Sequence, residues 1–188
     1  MVITADSPDC LERVIGVLAR GGVAIAPGDT IYGLIGVAPE TEDRIRQIKG
    51  RGEDKPFLQL IADPAWISRF SDFHIPDKIA RHWPGPLTIV IPDRAGGTVA
   101  VRLPDSDFLL TVLRGIKRPL YSTSVNRAGS APLSTVAQMR DEFEADVDLV
   151  VDAGDQSPGA PSTLLDVTTK PFRILRQGAL SLSSEDLS

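Results

Sequence analysis

Short apolar runs alternate along this chain with stretches whose apolar residues recur at helical spacing, an alternation that points to a sheet covered by helices. Ser7 and Pro8 read as a helix start, with Ser7 capping and Pro8 in the first helical position, where its missing N–H costs nothing. Leu11, Val14, Ile15 and Leu18 follow on one helical face, Gly21 and Gly22 stop the helix, and 23–26 reads as a short buried strand. A second helix is predicted over 41–49, with acidic groups in its first turn, basic groups in its last and Gly50 as its stop. Further strands are predicted at 56–61, 87–91, 99–103, 119–123, 148–152, 163–167 and 172–175. Helices are predicted at 77–82, 108–114 and 135–143, the last capped by Ser134. The reading is one α/β domain over residues 1–180 with a twisted, mixed sheet, and a frayed tail at 181–188.

Composition narrows the function classes. The apolar material is 42% of the chain with only 5% aromatic, mostly Val, Ile, Leu and Ala, which suits a covered sheet. A net charge of -5 gives no mean field that attracts nucleic acid or an anionic membrane, so any polyanion site must be local. The lone Cys10 excludes an internal disulfide and, with only His74 and His82, cannot assemble a His/Cys zinc site. No protein-held metal is expected, and the cysteine usage points to a reducing compartment, the cytoplasm. Residues 1–9 lack the apolar run of a signal peptide or anchor, and no stretch of about 18 apolar residues occurs, so no membrane association is expected.

Three stretches carry candidate chemistry. Lys49, Arg51 and Lys55 put three cations within seven residues at a helix end. Arg51 can grip an oxyanion with two parallel N–H groups and the lysines can add point charges; equally, Lys49 can complement the helix C-terminus while the others pair with Glu53 and Asp54. At 122–126, strand alternation would turn Ser122, Ser124 and Asn126 to one side as a polar reading head, the alternative being hydroxyls bonded to local backbone. No histidine or nucleophile-elbow pattern accompanies these serines, so Ser124 is not read as a nucleophile. At 27–34, Asp29, Thr30 and Tyr32 stand between Gly28 and Gly33, where a ligand can approach the backbone; turn formation and core packing explain them as well. Neither a P-loop nor a Gly-x-Gly-x-x-Gly fingerprint is present, so a nucleotide site must be of another design.

Taken in order, these stretches resemble the YrdC family of threonylcarbamoyl-adenylate synthases. The matching string runs from Gly21-Gly22-Val23 and Pro27 to Leu34, through Lys49-Gly50-Arg51, Lys55-Pro56 and Trp83-Pro84-Gly85-Pro86-Leu87-Thr88. It continues through Val101-Arg102-Leu103-Pro104, Ser122 to Asn126 and Pro161-Ser162-Thr163 to Arg176-Gln177-Gly178, and the resemblance covers roughly residues 8–180. It implies a YrdC/RibB-like α/β fold, a twisted, largely parallel and mixed sheet flanked by helices around a concave basic cavity. It also implies a reaction that joins L-threonine, bicarbonate and ATP into threonylcarbamoyl-AMP and pyrophosphate, with Mg²⁺ accompanying the nucleotide. The product would serve N6-threonylcarbamoyladenosine formation in tRNA through a downstream threonylcarbamoyl-transferase complex.

The family's Lys-x-Arg and Ser-x-Asn motifs fall on Lys49 and Arg51 and on Ser124 and Asn126, which the resemblance makes the catalytic set. It gives Lys55 and Ser122 to phosphate and amino-acid groups, Thr30 and Tyr32 to the threonine pocket, and Arg102, Ser162 and Arg176 to the nucleotide side. Gly28, Gly52 and Val125 depart from the common Thr, Pro and Ala of the family without removing any of these groups. The alternatives are a YciO-like relative, which often lacks both motifs, and a module binding double-stranded RNA. A carbamoyl-transfer role in hydrogenase maturation is less suited to a chain without companion domains.

Overall fold

The computed structural model describes residues 1–52, 56–156 and 159–188. Among them, ten strands form one mixed sheet: β1 (Val2–Thr4), β2 (Val23–Ala26), β3 (Gly33–Val37), β4 (Leu58–Leu60), β5 (Leu87–Pro92), β6 (Thr98–Arg102), β7 (Leu120–Ser124), β8 (Leu149–Asp152), β9 (Thr163–Asp166) and β10 (Arg173–Arg176). The spatial order is β1-β8-β2-β3-β7-β4-β6-β5-β9-β10. Its helices are α1 (Cys10–Ala19), α2 (Glu42–Lys49), α3 (Asp77–Ala80), α4 (Asp107–Ile116), α5 (Val136–Phe143) and α6 (Ser184–Leu187), with a 3₁₀ turn over Pro64–Arg69.

The sheet is mixed but not largely parallel. β1 and β2 both run parallel to β8, β4 to β6 and β5 to β9, whereas β2–β3, β3–β7, β7–β4, β5–β6 and β9–β10 are antiparallel. Short returns such as 27–32 and 93–97 cause this, because they reverse the chain without the crossover that parallel neighbours need. Strands β1 and β3 are not among those read from the sequence. β3 is Gly-Leu-Ile-Gly-Val and fully buried, so it shows no alternation.

Elsewhere the period of two is plain. In β2, Val23 and Ile25 face one side and join Ile45 and Ile48 of α2 and Met139 and Phe143 of α5. Ala24 and Ala26 face the other and pack with Val14 and Leu18 of α1 and Val112 and Leu113 of α4. A third cluster lies over β5, β6 and β9, where Ile89, Val101 and Leu165 meet Ile67 of the 3₁₀ turn and Ile79 of α3. Each such aliphatic side chain, fully buried, contributes about 1.5–3 kcal/mol.

Residues 181–188 depart from the frayed tail expected. Ser183 and Asp186 form a reciprocal capping box at the start of α6. Asp186 is 2% exposed and receives Arg81 at 2.7 Å and His82 at 3.2 Å. Leu180, Leu182 and Leu187 lie against the third cluster, so the segment is docked.

Candidate active site

A concave cavity of about 210 Å³ opens on one face of the sheet. Its floor lies on the sheet face of Ala24 and Ala26, opposite to Val23 and Ile25 and to the third cluster: Leu58 and Leu60 of β4, Ala100 and Arg102 of β6, Thr88 of β5, Leu164 of β9, and Ser122 and Ser124 of β7. The return from β2 to β3 supplies Asp29, Thr30 and Tyr32, and Arg51, Phe57, Ser162 and Arg176 complete the wall. Three guanidiniums thus face one carboxylate, that of Asp29, among the described lining residues.

The return is shaped from within. A Cβ on Gly28 would stand 2.5 Å from the carbonyl oxygen of Ile31, so a side chain here would require this turn to shift. Asp29 Oδ2 accepts Arg102 Nη2 at 2.6 Å and the Asp105 backbone N–H at 2.9 Å. Arg102 also donates through Nε to Gly85 O at 3.0 Å and through Nη1 to Thr30 Oγ1 at 3.3 Å. This nearly buried pair joins the β2–β3 return, the end of β6 and the turn at 83–86. Tyr32 is buried, donating to Gly154 O and accepting from the Ala153 N–H, both at 2.9 Å, and burial pushes its phenol pKa up. Its side chain packs with Val23, Ile25 and Leu34 beside the cavity, and its hydroxyl pins the loop that follows β8.

At the end of β7 the hydroxyls divide from the amide. Ser122, Thr123 and Ser124 line the cavity, but the strand stops at Ser124 and Asn126 turns behind the wall, 9% exposed. Asn126 Oδ1 accepts Ser124 Oγ at 2.6 Å and Lys49 Nζ at 3.0 Å, and its Nδ2 donates to Arg127 O and Ser130 O. Lys49 is 3% exposed and spends its remaining donors on Ser124 O at 2.6 Å and Asn126 O at 2.8 Å. Burial, with the Arg51 charge adding, pulls its pKa down to about 8, and the three oxygens keep the amine charged at neutral pH. Lys49 and Asn126 thus stand one layer behind the cavity, holding the Ser124 end in place.

Arg51 does reach the cavity. Its Nη2 donates to Pro56 O at 3.2 Å, and its guanidinium carbon lies 4.8 Å from the Phe57 ring centroid. On the far wall, Ser162 Oγ shares a 2.7 Å hydrogen bond with Thr88, while Arg176 Nη2 donates to Ser162 O at 2.8 Å. Lys55 lies outside the described residues. Of the candidates read from the sequence, Thr30, Tyr32, Arg51, Arg102, Ser122, Ser124, Ser162 and Arg176 converge on this cavity. Thr88 and Phe57 were missed; the alternation of β5 would have shown Thr88 facing away from Leu87 and Ile89, whereas nothing local marks Phe57.

A sheet-floored cavity rich in guanidiniums and hydroxyls has the chemistry to hold a small polyanion. Among the described residues no group of three or more His, Cys, Asp or Glu lies close enough to hold a metal ion. The Sua5/YciO/YrdC family model, described as telomere recombination, matches residues 16–178, and the chain belongs to that family. A threonylcarbamoyl-AMP synthase of Thiobacillus denitrificans is 37% identical over 168 residues, covering 81% of this chain and 88% of that protein. One from Pyrococcus abyssi is 31% identical over 183 residues, but the chain, 89% of which is matched, spans only 53% of its length. The crystal structure of P. abyssi Sua5 complexed with L-threonine superposes with a TM-score of 0.85 at 26% identity, covering 96% of this chain and 57% of that one. Escherichia coli YciO, at 21% identity, a TM-score of 0.85 and coverage of 100% and 98%, shares the fold. No helix among the described residues is long and apolar enough to cross a membrane.

Proposed function

We propose that the chain is an L-threonylcarbamoyladenylate synthase, a nucleotidyltransferase that joins L-threonine, bicarbonate and ATP. The observation that carries this reading is the convergence of Arg51, Arg102 and Arg176 with the Ser122–Ser124 hydroxyls on one cavity, in a chain of this family. The threonine amine and bicarbonate give a carbamate with loss of water. A carbamate oxygen then attacks the α-phosphorus, a new P–O bond forms, the α–β anhydride bond breaks, and pyrophosphate carries away the electron pair. Two anions must approach each other in that step, so the guanidiniums offset their repulsion and stabilise the departing charge. No protein nucleophile is needed.

Thr30 and Tyr32 fit the amino-acid end beside Arg102, while Ser122 and Ser124 fit phosphate oxygens. Lys49 and Asn126 act through Ser124, which they hold. The nearest carboxylate, Asp29, is committed to Arg102 and the Asp105 N–H, so these residues suit Mg²⁺ held mainly by the triphosphate's own oxygens, where it would shield the transferring charge. The product is a reactive mixed anhydride, which calls for a group-transfer partner, here the transferase complex that modifies tRNA. Duplex RNA is a poorer fit, because the guanidiniums line a concavity of about 210 Å³ instead of tracking along a surface. The test is amino-acid dependence: pyrophosphate release from ATP and bicarbonate should rise with L-threonine. Equal release with serine, alanine or no amino acid would remove the assignment.

A further inference from the structure

We propose that Phe57, which no motif marks, is the positioning residue of Arg51 and sets how tightly the cavity grips an anion; this rests on the reading of Arg51 as a phosphate ligand. Arg51 follows Gly50, which sits in the left-handed region at φ 61°, and precedes Gly52, so its backbone has latitude on both sides. Its side chain must therefore be aimed by what it packs on. The Phe57 ring lies 4.8 Å from the Arg51 guanidinium carbon, and Arg51 Nη2 donates to the carbonyl of Pro56, the residue before that ring.

The ring is itself caged. Phe57 is 3% exposed, the Arg46 guanidinium carbon lies 5.0 Å from its centroid, and the Tyr121 ring meets it at 5.8 Å and 60°. Glu42 closes the cage from behind, with Oε2 accepting Tyr121 Oη at 2.6 Å and Oε1 accepting Arg46 Nη2 at 2.6 Å. Arg46 Nη1 is held in turn by Gly52 O at 2.6 Å. A rigid aromatic face of negative potential thus stands at the cavity wall, and a guanidinium resting on it is held in one orientation.

The test is a double-mutant cycle read by calorimetric binding of ATP and of pyrophosphate, which needs no turnover. Phe57→Leu, which keeps apolar bulk but removes the ring, should weaken binding roughly three- to thirtyfold. Phe57→Tyr should retain it within about twofold, and Phe57→Leu should cost nothing further in an Arg51→Ala background. Equal losses from Phe57→Leu in both backgrounds, or a folded Phe57→Tyr as weak as Phe57→Leu, would mean the ring is only packing. Failure of the parent protein to bind either anion would overturn the inference too. Binding that follows the cycle without threonine-dependent pyrophosphate release would leave Phe57 in this role and discard the synthase reading alone.

Discussion

Lys49 shows how a residue's chemistry differs from its sequence signature. Replacing it with Met leaves Ser124 O, Asn126 O and Asn126 Oδ1 short of a donor in a buried place, which should cost about 2–4 kcal/mol of stability in denaturant unfolding. The pH dependence has a definite sign. The folded pKa is about 8 against 10.5 for the free side chain, so between these values the unfolded chain holds a proton that the folded one has shed. Stability contributed at Lys49 therefore rises with pH across that window, and the parent's advantage over Lys49→Met should widen from about pH 8 to about pH 10. A constant gap would show that burial does not depress this amine. Arg51 calls for a different measurement, since Arg51→Lys keeps the charge but loses the fork; threonine-dependent kcat/KM should fall about ten- to a hundredfold, and near-normal turnover would misplace the anion site. The residue types of the site were legible in the sequence, but their depth was not. Asn126 reads as the third member of an alternating strand, yet the strand ends at Ser124 and the amide turns inward. Asp29 and Arg102 are 73 positions apart, and nothing local announces their pair.

At the scale of elements, helix boundaries depended on where polar side chains found partners. Thr41 stands at the N-cap of α2, but its hydroxyl donates to Val37 O, and in α5 the cap is Thr135, one residue beyond the Ser134 expected. Both hydroxyls have several backbone partners within reach, and tertiary packing chooses among them. Amphipathic strands and helices were legible because one face is solvent-side or differs from the other; β3, buried on both faces and holding two glycines, was not. The docked α6 was missed because its signal is three leucines and one capping box, whose carboxylate finds Arg81 and His82 105 and 104 residues earlier in the chain. Asp186 is the keystone there. The Ser183 backbone N–H, with Ser183 Oγ, His82 and Arg81 adding, holds its carboxyl far below the usual range. Its stabilisation is present above about pH 4 and is lost as pH falls below it. Asp186→Ala should lower stability by about 1–2 kcal/mol at neutral pH, with a smaller difference in acid. No change in the unfolding midpoint would contradict the docked helix.

Across the molecule, the sheet separates support from chemistry. Helices α1 and α4 cover one part of the concave-side face, and the parts of β7, β4, β6 and β5 beyond them form the cavity floor, where hydroxyls and guanidiniums join the apolar side chains. The chain carries a net charge of -5, yet three guanidiniums meet one carboxylate among the described lining residues, so the positive potential at the cavity is local. The most direct test supplies ¹³C-labelled bicarbonate, L-threonine, ATP and Mg²⁺ to the purified parent and to folded Arg51→Ala, and follows products by mass spectrometry. The account predicts labelled threonylcarbamoyl-AMP formed in step with pyrophosphate by the parent, and at most a few per cent of that rate by the variant. Labelled product at equal rates from both proteins, or none from a parent that binds ATP, would contradict it.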